Sequence, residues 1–484
     1  MEDYKKVGLK SGIEIHQQLD TNKLFCSCPS ILKQSEPDII LKRKMKAVAG
    51  ETGDVDEAAS FEQAREMEFI YEAYKDVDCL VDMDEEPPHN INKEALVTAL
   101  QLALFLNCRI FPAAQVMRKT IVNGSCVSGF QRTMLLAEDG FLEIDIDNKK
   151  KKIGIQSITL EEDAAREIKR TPNSITFRID RLGIPLIELV TKPDISTPKE
   201  AKITALKLGE ILRACKVKRG LGTIRQDVNI STTGHPRIEV KGVQEPDLIE
   251  KVMDYEAKRQ QQEVKEKKKL KSEVRKANPD GTTSFLRPLA GSARMYPETD
   301  LSLVYTSDYV KEARKTLPKL QEEVKLELKE KGMNPELIKL VLQERKMQEF
   351  EALLKLINKP DLIAKVLILW PKEIASHEKI SQNEVDKKLT LDVIESLLSK
   401  LVQSQIKEAQ LKQIMEEIVK GKTIEQSMKT ESINLKDVEH YIQTIVKEKT
   451  DLSVNAYMGL AIQKYKGKVS PKDISDILKK YVKQ

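Results

Sequence analysis

Aromatic side chains are scarce in this chain, at 5% of 484 residues, with a single tryptophan. Long apolar runs are absent, none approaching the ~18 residues that a membrane helix needs. The opening MEDYKKVGLKSGIEIH lacks the charged-then-apolar order of a secretion signal. Six cysteines at irregular spacing do not make the disulfide framework of a small secreted fold. A cytoplasmic setting with no membrane partner is therefore expected. An excess of one charge is lacking too: 81 basic residues face 76 acidic ones, a net charge of +5. That surplus is too small to imply a nucleic-acid partner without local patches. Neither a GxxxxGKS/T loop nor a GxGxxG fingerprint occurs, which excludes the familiar P-loop and dinucleotide sites. No fixed period repeats.

What is present divides into two compositional halves. The length allows roughly two to four domains. Residues 1–306 mix short β-rich runs, turns and a few helices. GLKSGIEIHQQL, GFLEIDI, KKIGIQSITLEED, SITFRIDR and RIEVKGV read as strands. FEQAREMEFIYEAYK and KEALVTALQLALFLN read as helices, the second apolar nearly all round and hence buried. This half is expected to be one α+β domain around a central antiparallel or mixed sheet. From residue 307 glycine becomes scarce and helix-period patterns follow one another, punctuated at Gly332, Pro335, Pro360 and Pro371. An all-α region over 307–410 and a helical tail over 411–484 are expected, with a break near 425–450. The Lys-rich stretch of about residues 258–279 reads as a solvated helix end or linker.

The chemistry concentrates in the first half. Glu14 and His16 alternate with Ile13 and Ile15, so carboxylate and imidazole project from one face of a strand. Glu161, Glu162 and Asp163 close the strand-like IGIQSITL, and crowded like charges call for a cation. Asp227 alternates with Asn229, Glu239 with Lys241, and Glu188 ends IPLIE. A single acid on an alternating strand is most often solvent-facing. Several together supply hard oxygen ligands suited to Mg2+. Such a site with basic neighbours suits phosphoryl transfer. The residues alone reach an acidic, metal-binding sheet face and do not name a reaction.

FRIDRLGIPLIELVTKPDI (Phe177–Ile195) resembles the signature of the B/E subunit family of glutamyl-tRNA(Gln) amidotransferases. So do GIEIHQQLDTNKLFC, LEEDAA, QDVNIS and EVKG. MRKTIVNGSCVSGFQRT (Met117–Thr133) and DGTTSFLRPLAGSARMYPETD (Asp280–Asp300) resemble the archaeal E subunits more than the bacterial B subunits, and YMGLAIQKYKGKVSP resembles the family's tRNA-binding tail. The resemblance implies a cradle-shaped domain that uses ATP to phosphorylate the γ-carboxylate of glutamate on tRNA(Gln). Ammonia from a separate amidase subunit then displaces phosphate. It further implies His16, Glu162 and Glu188 as Mg2+ ligands, with Glu14, Asp227 and Glu239 as further acids of the same site. Lys119 and Glu162 match residues where ammonia emerges, with Glu161 beside them. Arg118, Arg132 and Lys241 are candidate phosphate or carboxylate partners.

The chain departs from the family in two respects. Archaeal E subunits carry an inserted domain similar to one in bacterial aspartyl-tRNA synthetases, and only the Lys-rich stretch stands in its place. The partner is expected to be an asparaginase-like D subunit, in a heterodimer or a dimer of heterodimers. The shorter architecture resembles B subunits, which work with A and C subunits. A non-catalytic tRNA-binding adaptor is a third reading, against which Glu14, His16, Glu162, Glu188, Asp227 and Glu239 are all retained. Secondly, Cys26-x-Cys28 resembles half of a zinc site of some members. Only Cys79 and His89 offer to complete it, without the usual spacing, so buried thiols are the plainer reading. Lys464, Lys466, Lys468, Lys472, Lys479, Lys480 and Lys483 make the tail basic, with only Tyr457, Tyr465 and Tyr481 interleaved. That favours contact with the RNA backbone over base stacking.

Overall fold

In the computed structural model the run around Glu14 forms the strand Lys10–Gln18 (β1). Ile13 and Ile15 are buried on one face, while Glu14 and His16 are half-buried on the other. The structure describes residues 4–481 apart from 50–52, 54, 56, 221, 290–294, 345, 429–434, 450–451 and 466–470. They fall into two compact units, Met1–Leu320 and Gln321–Gln484.

The first unit is built on a mixed 11-stranded sheet. After β1 its main strands are Val116–Thr120 (β2), Phe130–Ile146 (β3), Lys149–Glu162 (β4), Pro185–Thr191 (β5), Ile224–Ser231 (β6), Ile238–Lys241 (β7), Glu273–Ala277 (β8), Thr283–Pro288 (β9) and Met295–Pro297 (β10). Their order across the sheet is β9-β8-β7-β6-β1-β5-β4-β3-β2-β10, with the short strand Arg109–Ile110 beside β3. Every pairing is antiparallel except β7 with β8. The expected α+β class with a central mixed sheet is what the chain adopts.

One face of this sheet is apolar. Ile13, Ile15, Ile158, Leu160, Ile187, Leu189, Val228, Ile230, Ile238 and Val240 share a core with helices Lys93–Phe105 (α1), Pro198–Ala214 (α2) and Pro246–Lys265 (α3). The Asn92 side chain caps α1 by accepting from Ala95 N at 3.1 Å. Thr197 caps α2, with Pro198 in the first turn. As expected, α1 buries residues around most of its circumference. With three helices on one face, the alternating acids are left on the other.

Sequence and structure differ in two places. EFIYEA lies in a strand, Glu68–Ala73, and not in the expected helix; only Glu57–Gln63 upstream is helical. Its residues alternate half-exposed and buried, and Phe69, Tyr71 and Ala73 pack into a second, four-stranded sheet with Ile39–Arg43, Ser174–Arg178 and Arg166–Arg170. The Lys-rich stretch is in part a helix end, as expected. It begins inside α3, whose Ala257 and Gln260 are buried, and ends in β8, whose Val274 is fully buried. The helix Ser307–Lys315 packs on α1, with Ala313 in the first core, so it belongs with the sheet. Near the expected break at 425–450, which spans helices Ile424–Met428 and Leu435–Glu448, Met428 packs against one core and Val438 lies in another. Val438, Ile442 and Ile445, at helical spacing, are buried.

The second unit is all helical among its described residues. One core gathers Phe350, Ile363, Val366, Leu397 and Met415; another gathers Ile442, Tyr457, Ala461, Tyr465 and Leu478. Tyr457 and Tyr465 therefore serve as core residues. Of the tail lysines, Lys464 lies 3.8 Å from the Tyr441 ring centroid, and Lys479 and Lys480 are exposed. Lys466, Lys468 and Lys483 lie outside the described residues, as does the side chain of Lys472. No helix among the described residues is long and apolar enough to cross a membrane.

Candidate active site

Antiparallel pairing places residues of neighbouring strands opposite one another, and opposed residues share a face. Across β1 the pairs are His16 with Glu188 and Glu14 with Asp227; across β6, Asn229 opposes Glu239. Across β3, Thr133 opposes Glu161, and across β2, Lys119 opposes Gln131. Glu14, His16, Lys119, Glu161, Glu188, Asp227, Glu239 and Lys241 thus line the face opposite the helices.

His16 Nε2 lies 3.2 Å from Glu188 Oε2 and 3.6 Å from Glu14 Oε1. Lys119 Nζ donates to Glu161 Oε1 at 2.8 Å and lies 3.6 Å from Glu188. Glu161 also accepts from Gln131 at 3.0 Å and from the Thr133 hydroxyl at 2.7 Å. Lys241 bridges Asp227 at 2.8 Å and Glu239 at 2.6 Å. The donor atoms of His16, Glu161 and Glu188 lie within 4.8 Å of one another, as do those of Glu14, His16 and Asp227. His16 is common to both groups.

Crowding splits the acidities. Burial, with the nearby Glu188 charge, pushes Glu14 up to about 7. Glu188 is pulled the other way: burial opposes its ionisation, but Lys119 and His16 hold it well below the usual carboxylate range. His16 is raised; burial disfavours its charge, and the hydrogen bond and charge of Glu188 overcome that. Lys241 is raised likewise against burial by Asp227 and Glu239.

Glu162, expected with His16 and Glu188, lies outside this group. Consecutive strand residues point to opposite faces, and Glu161 takes the place beside His16. Glu162 accepts from Arg132 N at 3.1 Å, with the Arg132 guanidinium 3.4 Å away, and its burial raises its pKa. The expected Lys119–Glu162 pair is correspondingly Lys119–Glu161. Arg118 and Arg132 also turn away from His16. Both bond to Glu298 at 2.9 Å through Nε, and both stack on Phe130, at 4.6 and 5.2 Å from its centroid. They are carboxylate partners, but of acids within the chain. Of the three basic candidates only Lys241 stands on the acidic face.

Four residues of these networks escaped sequence reading. Gln131 and Thr133 flank Arg132 in a strand pattern and were legible as a polar row facing Glu161. Glu298, fully buried, and Arg225, 2.8 Å from buried Asp163, carry no such local signal.

A second cluster lies in the turns beyond β1. Cys26, Cys28, Cys79 and Asp82 bring their donor atoms within 4.8 Å of one another. Asp82 was not among the expected ligands; His89 is exposed and pairs with Glu86 at 3.1 Å instead. Hydrogen bonding from Cys26 pulls the Cys79 thiol down to about 5 against its burial. Fully buried Lys23 lies 2.8 Å from Asp78 and 3.1 Å from Asp82.

Residues 9–312 match the family described as the GatB/GatE catalytic domain. Over all of this chain and 99% of the relative, the chain is 35% identical to the E subunit of the glutamyl-tRNA(Gln) amidotransferase of Methanocaldococcus jannaschii. It is 32% identical, with the same coverage, to the E subunit from Archaeoglobus fulgidus. Over 259 residues, 53% of this chain and 41% of the relative, it is 50% identical to that of Methanothermobacter thermautotrophicus. The first alignment runs over 640 positions against 484 residues here, so at least 640 − 484 = 156 positions have no counterpart in this chain.

Glu298 offers a direct test of the network behind the site. Burial opposes its ionisation, but hydrogen bonds from Arg118 and Arg132 lower its pKa in the folded state. Its contribution is therefore complete above the ordinary carboxylate pKa and is lost as pH falls through the depressed folded value. Glu298→Gln should cost about 3 kcal/mol at neutral pH. The gap to wild type should close as the medium is acidified below the ordinary carboxylate range. Urea unfolding at a series of pH values reads this; a gap independent of pH would count against the pairing.

Proposed function

Because the chain belongs to the GatB/GatE family, we propose that it is the amidotransferase subunit that converts glutamate on tRNA(Gln) to glutamine with ATP. The supporting observation is the convergence of Glu14, His16, Glu161, Glu188 and Asp227, with Lys119 and Lys241, on one open sheet face. In the first step a γ-carboxylate oxygen of the tRNA-bound glutamate bonds to the γ-phosphorus of ATP, and the bond to the β-phosphate oxygen breaks, releasing ADP. In the second, ammonia forms a C–N bond at the activated carbonyl, the C–O bond to phosphate breaks, and phosphate leaves. The surplus proton on nitrogen passes to a carboxylate of the face.

The residues fit a divalent cation: imidazole and carboxylate donors converge, and burial with crowding by Glu188 makes Glu14 hard to ionise. His16, Glu161 and Glu188 would hold Mg2+, with Glu14 and Asp227 as a second donor group. Bound there, Mg2+ would offset charge on the phosphoryl oxygens. Lys119 bonds to Glu161, favours the ionised form of Glu188 and adds a cation beside the reacting groups. The Lys119–Glu161 pair would receive ammonia, which a separate, asparaginase-like amidase subunit supplies. The tRNA would be held partly by the tail lysines Lys464, Lys479 and Lys480 through its phosphates.

The cysteine cluster favours one further reading. Cys26, Cys28 and Cys79 supply soft sulfur donors and Asp82 supplies an oxygen, all within reach of one ion. We assign it to a structural Zn2+ that ties the turn around Cys26 to the Cys79–Asp82 turn.

Three measurements test these readings. With Glu-tRNA(Gln), ATP, Mg2+ and ammonium salt, the purified chain should form Gln-tRNA(Gln), and Glu161→Gln should lower kcat by about 100-fold or more. Full turnover in that variant would remove Glu161 from the site. Replacing Lys464, Lys479 and Lys480 together by alanine should weaken tRNA binding and flatten its salt dependence by about two logarithmic units per decade of salt; unchanged binding would discard the tail contact. Elemental analysis should find about one zinc per chain, falling in Cys79→Ser; a zinc-free wild type with all thiols titratable would leave the cluster as buried cysteines.

A further inference from the structure

A cavity of about 240 Å3 opens on the same sheet face, one pleat along the strands from the acids. Lys10 and Gly12 precede Glu14 on β1 by four and two residues, and Lys10 opposes Ser231 while Gly12 opposes Asn229. Asn229 and Ser231 follow Asp227 on β6, and Val190 follows Glu188 on β5. A two-residue step along a strand is about 7 Å. The cavity is therefore continuous in register with the candidate metal site, and shares its three central strands.

Its lining differs in kind from the acidic group beside it. Lys10, Gln156, Asn229, Ser231 and Arg237 contribute ammonium, amide, hydroxyl and guanidinium groups, and no described lining residue carries a carboxylate. The lysines of the acidic group are committed to acids: Lys119 to Glu161 and Glu188, Lys241 to Asp227 and Glu239. The Lys10 and Arg237 side chains have no hydrogen-bond or ion-pair partner among the described residues, and both residues are exposed. Gly12 keeps the floor low. A Cβ there would stand 3.0 Å from the Thr191 carbonyl oxygen and 3.3 Å from its hydroxyl oxygen. A glycine floor with two uncommitted cations and neutral donors around it is a polyanion cradle.

We propose that this groove binds the α- and β-phosphates of the nucleotide, and so fixes ADP as the leaving group while the γ-phosphoryl lies over His16, Glu161 and Glu188. This rests on the ATP-dependent reaction proposed above. The tRNA 3′ end also carries phosphates, but the groove meets the acids at Glu14 and Asp227, where a polyphosphate chain would continue straight to the transferred group. The aminoacyl end must instead present a carboxylate to the same point. Lys10 and Arg237 are binding residues that leave the acids untouched, so their loss should weaken the nucleotide without altering the chemical step.

Isothermal titration of ADP with Mg2+ into wild type and into the Lys10→Ala/Arg237→Ala double variant decides this. The double variant should bind ADP about ten-fold or more weakly. Its KM for ATP should rise by a similar factor, with kcat and the KM for Glu-tRNA(Gln) within about two-fold of wild type. Lys10→Arg should keep most of the affinity. If wild type binds ADP and the double variant binds it equally well, the groove assignment fails and the reaction stands. A KM rise confined to Glu-tRNA(Gln) would give the groove to RNA and overturn the assignment. A wild type that binds no nucleotide would overturn both this assignment and the proposed reaction.

Discussion

Everything in the first unit depends on the two-sidedness of β1. Ile13 and Ile15 must be dry, because they meet α2 and the core beneath it. Each carries on the order of 1.5–3 kcal/mol of burial. Slipping the strand by one residue would put Glu14 and His16 into that core and the isoleucines on the open face. The apolar side thus holds the polar side in register. The same holds on β5, β6 and β7, where Leu189, Val228 and Val240 are fully buried behind Glu188, Asp227 and Glu239. Five acids from separate strands can be held within a few ångströms only because each is backed in this way.

Such crowding is unfavourable without compensation, and the compensation is uneven. Lys119 and Lys241 sit at opposite ends of the group and neutralise the acids nearest to them. Glu14 lies between them and is left with a pKa near 7, while Glu188, beside both Lys119 and His16, remains ionised. One strand pair therefore carries an acid that readily keeps its proton and one that does not. A divalent cation would equalise them. On the far side of β2, β3 and β4, Glu298 plays the balancing part for Arg118 and Arg132, so β2 and β4 each carry an ionic contact on both faces.

Period-two patterns located β1, β4, β5, β6 and β7. On β4, Ile158 and Leu160 face the core, so alternation puts Glu161 on the face of His16 and Glu162 on the other. The expectation of Glu162 came from the family resemblance, which carries no such parity. The cysteine cluster was concealed by distance along the chain. Some fifty residues separate Cys28 from Cys79, and Asp82 gains meaning only beside Lys23. EFIYEA misled because its helical neighbours set the local pattern, whereas its aromatic side chains pack as a strand against Phe177.

The helical unit follows a different logic. Its helices are short and amphipathic, and their apolar stripes close two cores without using charged residues. The lysines are left outside, on surfaces where they contribute little to stability. Of the tail's tyrosines, Tyr457 and Tyr465 are consumed by packing, and Tyr465 meets Tyr441 edge-on at 5.5 Å. A helical surface with cations but few free rings can follow a charged backbone, and it has little with which to stack on a base. The proposed reaction would ask for just such a division of labour. Chemistry needs donors fixed to tenths of an ångström, which a sheet backed by a dry core can provide. Holding a large polyanion needs only charge in the right region, which exposed lysines on a helix bundle would supply.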